Sequence, residues 1–305
     1  NEATAWITGY GTLSSVGTVV NRGTIYAQDS SPLILDSALY NTGQVIASSG
    51  SLVVNGVFTN QGTLNFINSL GSFNSAVVNQ SAWIMTNGAT SLFENNLLVS
   101  SNGYIRAQYY GTFRFRGDLR NQSTNAAAWN TLDAPVGATP GNGDRFIFSG
   151  SGLTQTQIFA HPGLLLTGGF TGTPVPSATG VQDVTSFAAV TGFNNNFALG
   201  QLWLTNTTLS LQQTVLGGPT GALFVNDLYL FGSAQLVISN NMRLYFVNSN
   251  SWSLANITLL GNAELHQLNP VAVVLSVVPE PNVLVLWLSG LATLYAARRR
   301  ARRQK

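Results

Sequence analysis

The chain has 305 residues and not one cysteine. Disulfides, thiolate metal sites and cysteine nucleophiles are therefore excluded. Charge is scarce too: Asp, Glu, Lys and Arg together make up 8 %, against ~25 % in an average soluble domain. Hydrophobic content is an ordinary 45 %, so the polar surface must come from Asn, Ser, Thr, Gln and Gly. Such a composition fits secreted β-rich architectures better than cytosolic enzymes. Lysine is absent before Lys305, and the net charge of +2 misleads. Six of the 13 basic residues fall in the last eight positions. Before Val278 there are seven arginines against ten acidic residues, about −3. A mildly acidic body is a poor match for a phosphate backbone, so nucleic acid is not an expected partner.

Catalytic signatures are equally sparse. There is no Gly-x-Ser-x-Gly elbow, no calcium-binding nonapeptide repeat and no phosphate-binding glycine loop. Only two histidines occur, His161 and His266, and a lone histidine is most often a surface or structural residue. Acidic residues are scattered. Asp29 and Asp36 are close enough to share a coil, and Asp133 and Asp144 lie in one irregular stretch; both pairs read best as solvated turn carboxylates. No catalytic residue, metal site or cofactor is expected.

What the chain does have is a repeat. Asn-x-Gly/Ser recurs at Asn21-Arg22-Gly23, Asn41-Thr42-Gly43, Asn60-Gln61-Gly62, Asn79-Gln80-Ser81 and Asn121-Gln122-Ser123. The first steps are 20, 19 and 19 residues; the last, of 42, spans two repeats, with Ser101-Asn102-Gly103 near its middle. Between these marks, short apolar runs alternate with Gly and Asn, the grammar of strands and turns. A period near 20 with two or three strands predicts an all-β fold, a right-handed parallel β-helix (β-solenoid). Asn is expected to stack as a ladder at a fixed corner, with the neighbouring Gly supplying positive φ. An antiparallel sandwich or barrel explains the strands but not the period.

Residues 1–123 are read as solenoid repeats and 124–198 as an irregular excursion. Residues 199–270 read as further coils, with 240–270 as an end cap. Arg106, Arg114, Arg116 and Arg120 form a local basic stripe. Arg114 and Arg116 alternate with Phe113 and Phe115, which places both on the outward face of one strand. With Tyr104, Tyr109 and Tyr110 nearby, Arg114 and Arg116 are candidates for contact with an anionic glycan; the alternative is a solvated strand face.

Residues 271–281 form an extended spacer ending in Val278-Pro279-Glu280-Pro281, and 282–305 carry an apolar run and a basic end. The run from Val283 to Ala297 has no charge. Its 15 residues span ~22 Å as a helix, short of a ~30 Å hydrocarbon core, so it predicts a short transmembrane helix at the inner membrane. Arg298, Arg299, Arg300, Arg302, Arg303 and Lys305 favour the cytoplasmic side, which would leave the body outside. Pro279 and Pro281 hold the tetrapeptide extended, presenting the Glu280 carboxylate. By physics alone the tail equally suits a plain anchor.

This order of tetrapeptide, short apolar segment and terminal arginines resembles the PEP-CTERM sorting signal of bacterial envelope proteins. The match covers 28 of the 305 residues. The resemblance implies export, an inner-membrane intermediate with a cytoplasmic C-terminus, and processing near Val278-Pro279-Glu280-Pro281 by an exosortase-type membrane protease. It also implies cell-surface or extracellular delivery, in association with exopolysaccharide or biofilm matrix. Ser289, Gly290 and Thr293 break the apolar segment, weakening it more as a permanent anchor than as a removable signal. The chain opens at Asn1 with neither Met nor a signal-peptide pattern, so an N-terminal signal is expected to have been removed. The leading expectation is a non-enzymatic exported structural protein. Its competitors are a polysaccharide lyase or hydrolase and a glycan-binding adhesin on the same fold.

Overall fold

The computed structural model describes residues 1–123, 125, 128–129, 131–132, 143–149, 155–160, 181–184, 198–213, 221–250 and 254–268. The tail motif, the apolar run to Ala297, the basic cluster, His161 and Asp133 lie outside the described residues. Residues 1–271 form one compact unit.

That unit is a parallel β-solenoid. The first sheet has six strands, in the order Trp6–Thr8, Thr24–Ala27, Gln44–Ser48, Thr63–Ile67, Ala82–Thr86, Tyr104–Gln108. The second has twelve. It runs Gly11–Ser14, Leu33–Asp36, Ser51–Val54, Leu70–Phe73, Thr90–Phe93, Thr112–Phe115 and Arg145–Phe148, then Ala198–Thr205, Gly221–Phe231, Met242–Ser249, Glu264–Leu268 and Val181–Val184. The third has ten strands, from Val19–Asn21 through Leu119–Asn121 to Ile257–Leu259. Strands one coil apart pair in parallel throughout, as in Leu64 with Val45 and Trp83. The only described helix is a 3₁₀ turn at Leu254–Asn256.

Period-two alternation decides what goes inside. On the first sheet Ile25, Val45, Leu64, Trp83 and Ile105 stack inward and are fully buried. On the second, Phe73, Phe93, Phe115 and Phe148 form a column with ring centroids 5.4, 5.0 and 4.8 Å apart. Stacked aromatic pairs add ~0.5–1.5 kcal/mol each beyond their burial. After the first sheet ends, the long second-sheet strands supply its inward positions. Leu199 and Leu202 both reach the core, as do Val225 and Leu228. Two residues separate each pair, so the strands bend at Gly200-Gln201 and Asn226-Asp227.

The asparagine ladder is present and buried. Asn1, Asn21, Asn41 and Asn60 each donate from Nδ2 to the Oδ1 of the next asparagine, at 2.7, 2.7, 2.8 and 2.9 Å, ending on Asn79. Register places Val99, not Asn102, between Asn79 and Asn121. The ladder stops there because valine offers no amide, and Asn79 donates instead to the Tyr104 carbonyl at 3.1 Å.

The glycines beside it serve a different purpose from the one expected. Gly23, Gly43 and Gly62 are not among the positive-φ residues. A Cβ at Gly43 would run into the Gly23 carbonyl oxygen, and one at Gly62 into that of Gly43. Close approach of coils, not backbone handedness, requires glycine there. Left-handed residues recur instead at another corner, between the first and second sheets, where Ser49, Asn68, Asn87, Tyr109 and Tyr110 sit.

The described part of the span expected to cap the solenoid, 240–270, is itself made of coil strands. Met242–Ser249, Ile257–Leu259 and Glu264–Leu268 continue the stack, and Leu244, Phe246 and Leu265 join the core. The second sheet instead ends on Val181–Val184, a strand from the predicted excursion that pairs Val181 with Leu265 and Gln182 with His266. The sheet edge at Glu264–Leu268 is thereby paired rather than open.

Candidate functional site

The four arginines of the expected stripe are dispersed around the coil. Arg106 lies on the first sheet, Arg114 on the second and Arg120 on the third. The period-two reading does hold locally: Phe113 and Phe115 are fully buried, and Arg114 points outward and is exposed. Arg116 follows the strand's end and donates from one guanidinium nitrogen to both carboxylate oxygens of Glu94 in the preceding coil, at 2.9 and 2.7 Å. The two candidate glycan contacts therefore differ: Arg116 is neutralised, whereas Arg114 has no ion pair among the described residues.

Register extends the Arg114 face along the solenoid. Arg114 pairs with Ile147, Ile147 with Trp203 and Trp203 with Tyr229. These side chains therefore lie in one row on the sheet's outer side, ~4.8 Å per step, although Ile147 is covered and only 8 % exposed. Arg145, two residues before Ile147, shares the face. Its guanidinium lies over the Trp203 indole, with Cζ 5.5 Å from the centroid. Arg145 likewise has no ion pair among the described residues, and its buried Nε has no hydrogen-bond partner. Tyr229 meets Trp203 edge-on at 5.3 Å, and Phe231, 37 % exposed, lies tilted at 5.3 Å. Gln201 fixes the indole, accepting from Trp203 Nε1 at 2.8 Å and donating to the Gly143 carbonyl at 2.9 Å. Desolvation raises the Tyr229 phenol's pKa, and the Asp227 carboxylate pushes it the same way.

Arg145, Trp203, Tyr229 and Phe231 were not singled out from sequence. The signal was there in Arg145-Phe-Ile-Phe, Leu-Trp203-Leu and Leu-Tyr229-Leu, whose alternation turns the named residue outward. What alternation does not provide is the register that stacks these separate strands.

At the corner leading into this sheet sit Tyr109 and Tyr110, 61 % and 53 % exposed, with φ of 62° and 67°. Earlier coils use Ser49, Asn68 or Asn87 with Gly88 there. Left-handed backbone costs a bulky residue ~1–2 kcal/mol. Two exposed aromatics held in it need a compensating reason.

The carboxylates do not converge. Asp29 and Asp36 do share a coil, but Asp36 accepts from Asn55 Nδ2 at 3.0 Å on the surface. Asp144, expected to be solvated, is fully buried, as is Asp227. Asp144 accepts the Gly111 amide at 2.7 Å, and Asp227 accepts from Asn226 at 3.1 Å and Asn248 at 2.8 Å. No group of three metal-ligating side chains occurs among the described residues. His266 is 1 % exposed, stacked on Tyr245 at 4.8 Å, with Tyr245 stacked on Phe224 at 4.6 Å. Its Nε2 meets Glu264 at 2.7 Å, and Glu264 holds Arg243 at 3.0 Å. Burial lowers the His266 pKa; the hydrogen bond to Glu264 opposes that without reversing it.

Among the described residues no helix is long and apolar enough to cross a membrane. No protein-family model matches the chain, and no curated protein or solved structure matches it either.

Proposed function

We propose that this chain is an exported cell-envelope structural protein: a rigid β-solenoid addressed by its C-terminal signal and placed at the surface or in an exopolysaccharide or biofilm matrix. The observation that carries this is the pairing, in one chain, of a three-part tail with a solenoid whose polar residues are engaged in holding coils together. Glu94, Asp144, Asp227 and Glu264 each bind a neighbouring coil's amide or guanidinium. A glycan hydrolase would need two carboxylates facing each other across a substrate.

On this reading Val278-Pro279-Glu280-Pro281 is recognised by an exosortase-type membrane protease. The run from Val283 to Ala297 holds the chain in the inner membrane until processing, and Arg298 to Lys305 keeps the C-terminus cytoplasmic. Mass spectrometry of the mature protein from its own host tests this. The expected chain ends near Pro281. A mature protein retaining the arginine-rich C-terminus would reject sorting and leave a plain anchor.

A further inference from the structure

We propose that the outer face of the second sheet, from Arg114 to Phe231, binds an acidic polysaccharide. Arg114 and Arg145 carry no ion pair, and their strands are neighbours in the sheet. Arg114 is exposed and the half-buried Arg145 guanidinium lies over the Trp203 ring, so the face carries positive charge that no carboxylate of the described residues neutralises. A ligand carboxylate complements that charge through charge-assisted hydrogen bonds to the guanidinium groups. Next along the face, Trp203, Tyr229 and Phe231 cluster with centroids 5.3 to 6.1 Å apart. Aromatic rings at a half-exposed surface suit the C–H face of a pyranose. Charge and ring stacking are thus laid out in series along one solenoid face, which suits a chain polymer rather than a compact solute.

Tyr109, an exposed ring on left-handed backbone, stands at the corner that leads into Arg114's strand and is a candidate extension of the site. The body's acidic balance, seven arginines against ten carboxylates before Val278, disfavours nucleic acid, which carries a charge every ~1.7 Å. Uronate chains are less densely charged and richer in hydroxyls.

This deepens the matrix-scaffold reading and rests on it for its setting. The test uses the purified full chain, so its outcome is separate from whether the tail is processed. Binding is measured by affinity electrophoresis and calorimetry against polygalacturonate, neutral dextran and a single-stranded DNA oligonucleotide. Polygalacturonate should bind, more weakly as salt rises. Arg114→Gln with Arg145→Gln should weaken it at least tenfold, and Trp203→Leu several-fold. Arg116→Gln should change it less than twofold, because Glu94 already occupies that guanidinium. Arg114→Gln alone, at an exposed position, keeps the test decisive if the Arg145 variant fails to fold; thermal midpoints are recorded for each. Wild-type affinity in the Arg114→Gln variant and the folded double variant, equal binding of dextran, or tighter binding of DNA would each overturn the proposal.

Discussion

Asn60 donates its side-chain amide to Asn79 Oδ1 across 2.9 Å and accepts from Asn41 Nδ2 at 2.8 Å, all three residues being fully buried. Each amide from Asn21 to Asn60 is both donor and acceptor in the ladder, so removing one takes a partner from two neighbours. Asn60→Val is predicted to destabilise the solenoid by about 3 kcal/mol, since each buried polar group left unmade costs ~1–3 kcal/mol. Val99 shows that valine fits this register sterically where the ladder has already ended. Urea unfolding of the variant checks this. A loss under ~1 kcal/mol would mean that the ladder sets register but adds little stability.

Gly43 and Gly88 are predicted to respond differently to alanine, although both sit in turns. At Gly43 a Cβ meets the backbone of the preceding coil, which cannot move without separating coils. Gly43→Ala is expected to cost about 3 kcal/mol or more, as backbone-level overpacking does. At Gly88, φ is +73° and a Cβ meets nothing within 4 Å. Gly88→Ala should cost only about 1 kcal/mol, the left-handed penalty alone. Thermal melts of the two variants compare them directly; equal losses would refute the close-approach role.

The histidine gives the solenoid a pH dependence. Burial lowers the folded-state pKa of His266 below its unfolded value of about 6.5. Unfolded chain therefore binds a proton before folded chain does. This contribution to stability is complete above pH ~6.5 and is lost as pH falls from there towards the depressed folded value. His266→Phe keeps a ring against Tyr245 and removes the proton site. Its unfolding free energy should be flatter than wild type below pH ~6.5. Parallel pH curves for the two proteins would assign the acid sensitivity to other groups.

The fold was legible because coil period and strand alternation are both one-dimensional. Asn21, Asn41, Asn60 and Asn79 mark the period, and the alternation about Phe113 and Phe115 sets inside from outside. Contacts between coils were harder to read. Asp144 looks like a turn carboxylate, but its partner, Gly111, lies 33 residues earlier. Gly43 has a turn-like neighbourhood, and only the Gly23 carbonyl above it shows why glycine is needed. The arginines were grouped by sequence proximity, yet a coil turns through three sheets between Arg106 and Arg120. Trp203 joins Arg145 only through registers spanning the excursion, whose length hides the pairing.

Tyr109 separates strain from function. Its ring is 61 % exposed, so little burial is lost by removing it, while its φ of 62° suits asparagine far better. The earlier coils place Asn68 and Asn87 at the equivalent corner. Tyr109→Asn is therefore predicted to stabilise the protein by about 0.5–1 kcal/mol. If the ring serves the polysaccharide face, the same change should weaken polygalacturonate binding several-fold. Melting and calorimetry on one variant read both quantities. A gain in stability with unchanged binding would make the tyrosine a tolerated strain and remove it from the site. A loss of stability would show that its ring packs well enough to offset the left-handed backbone.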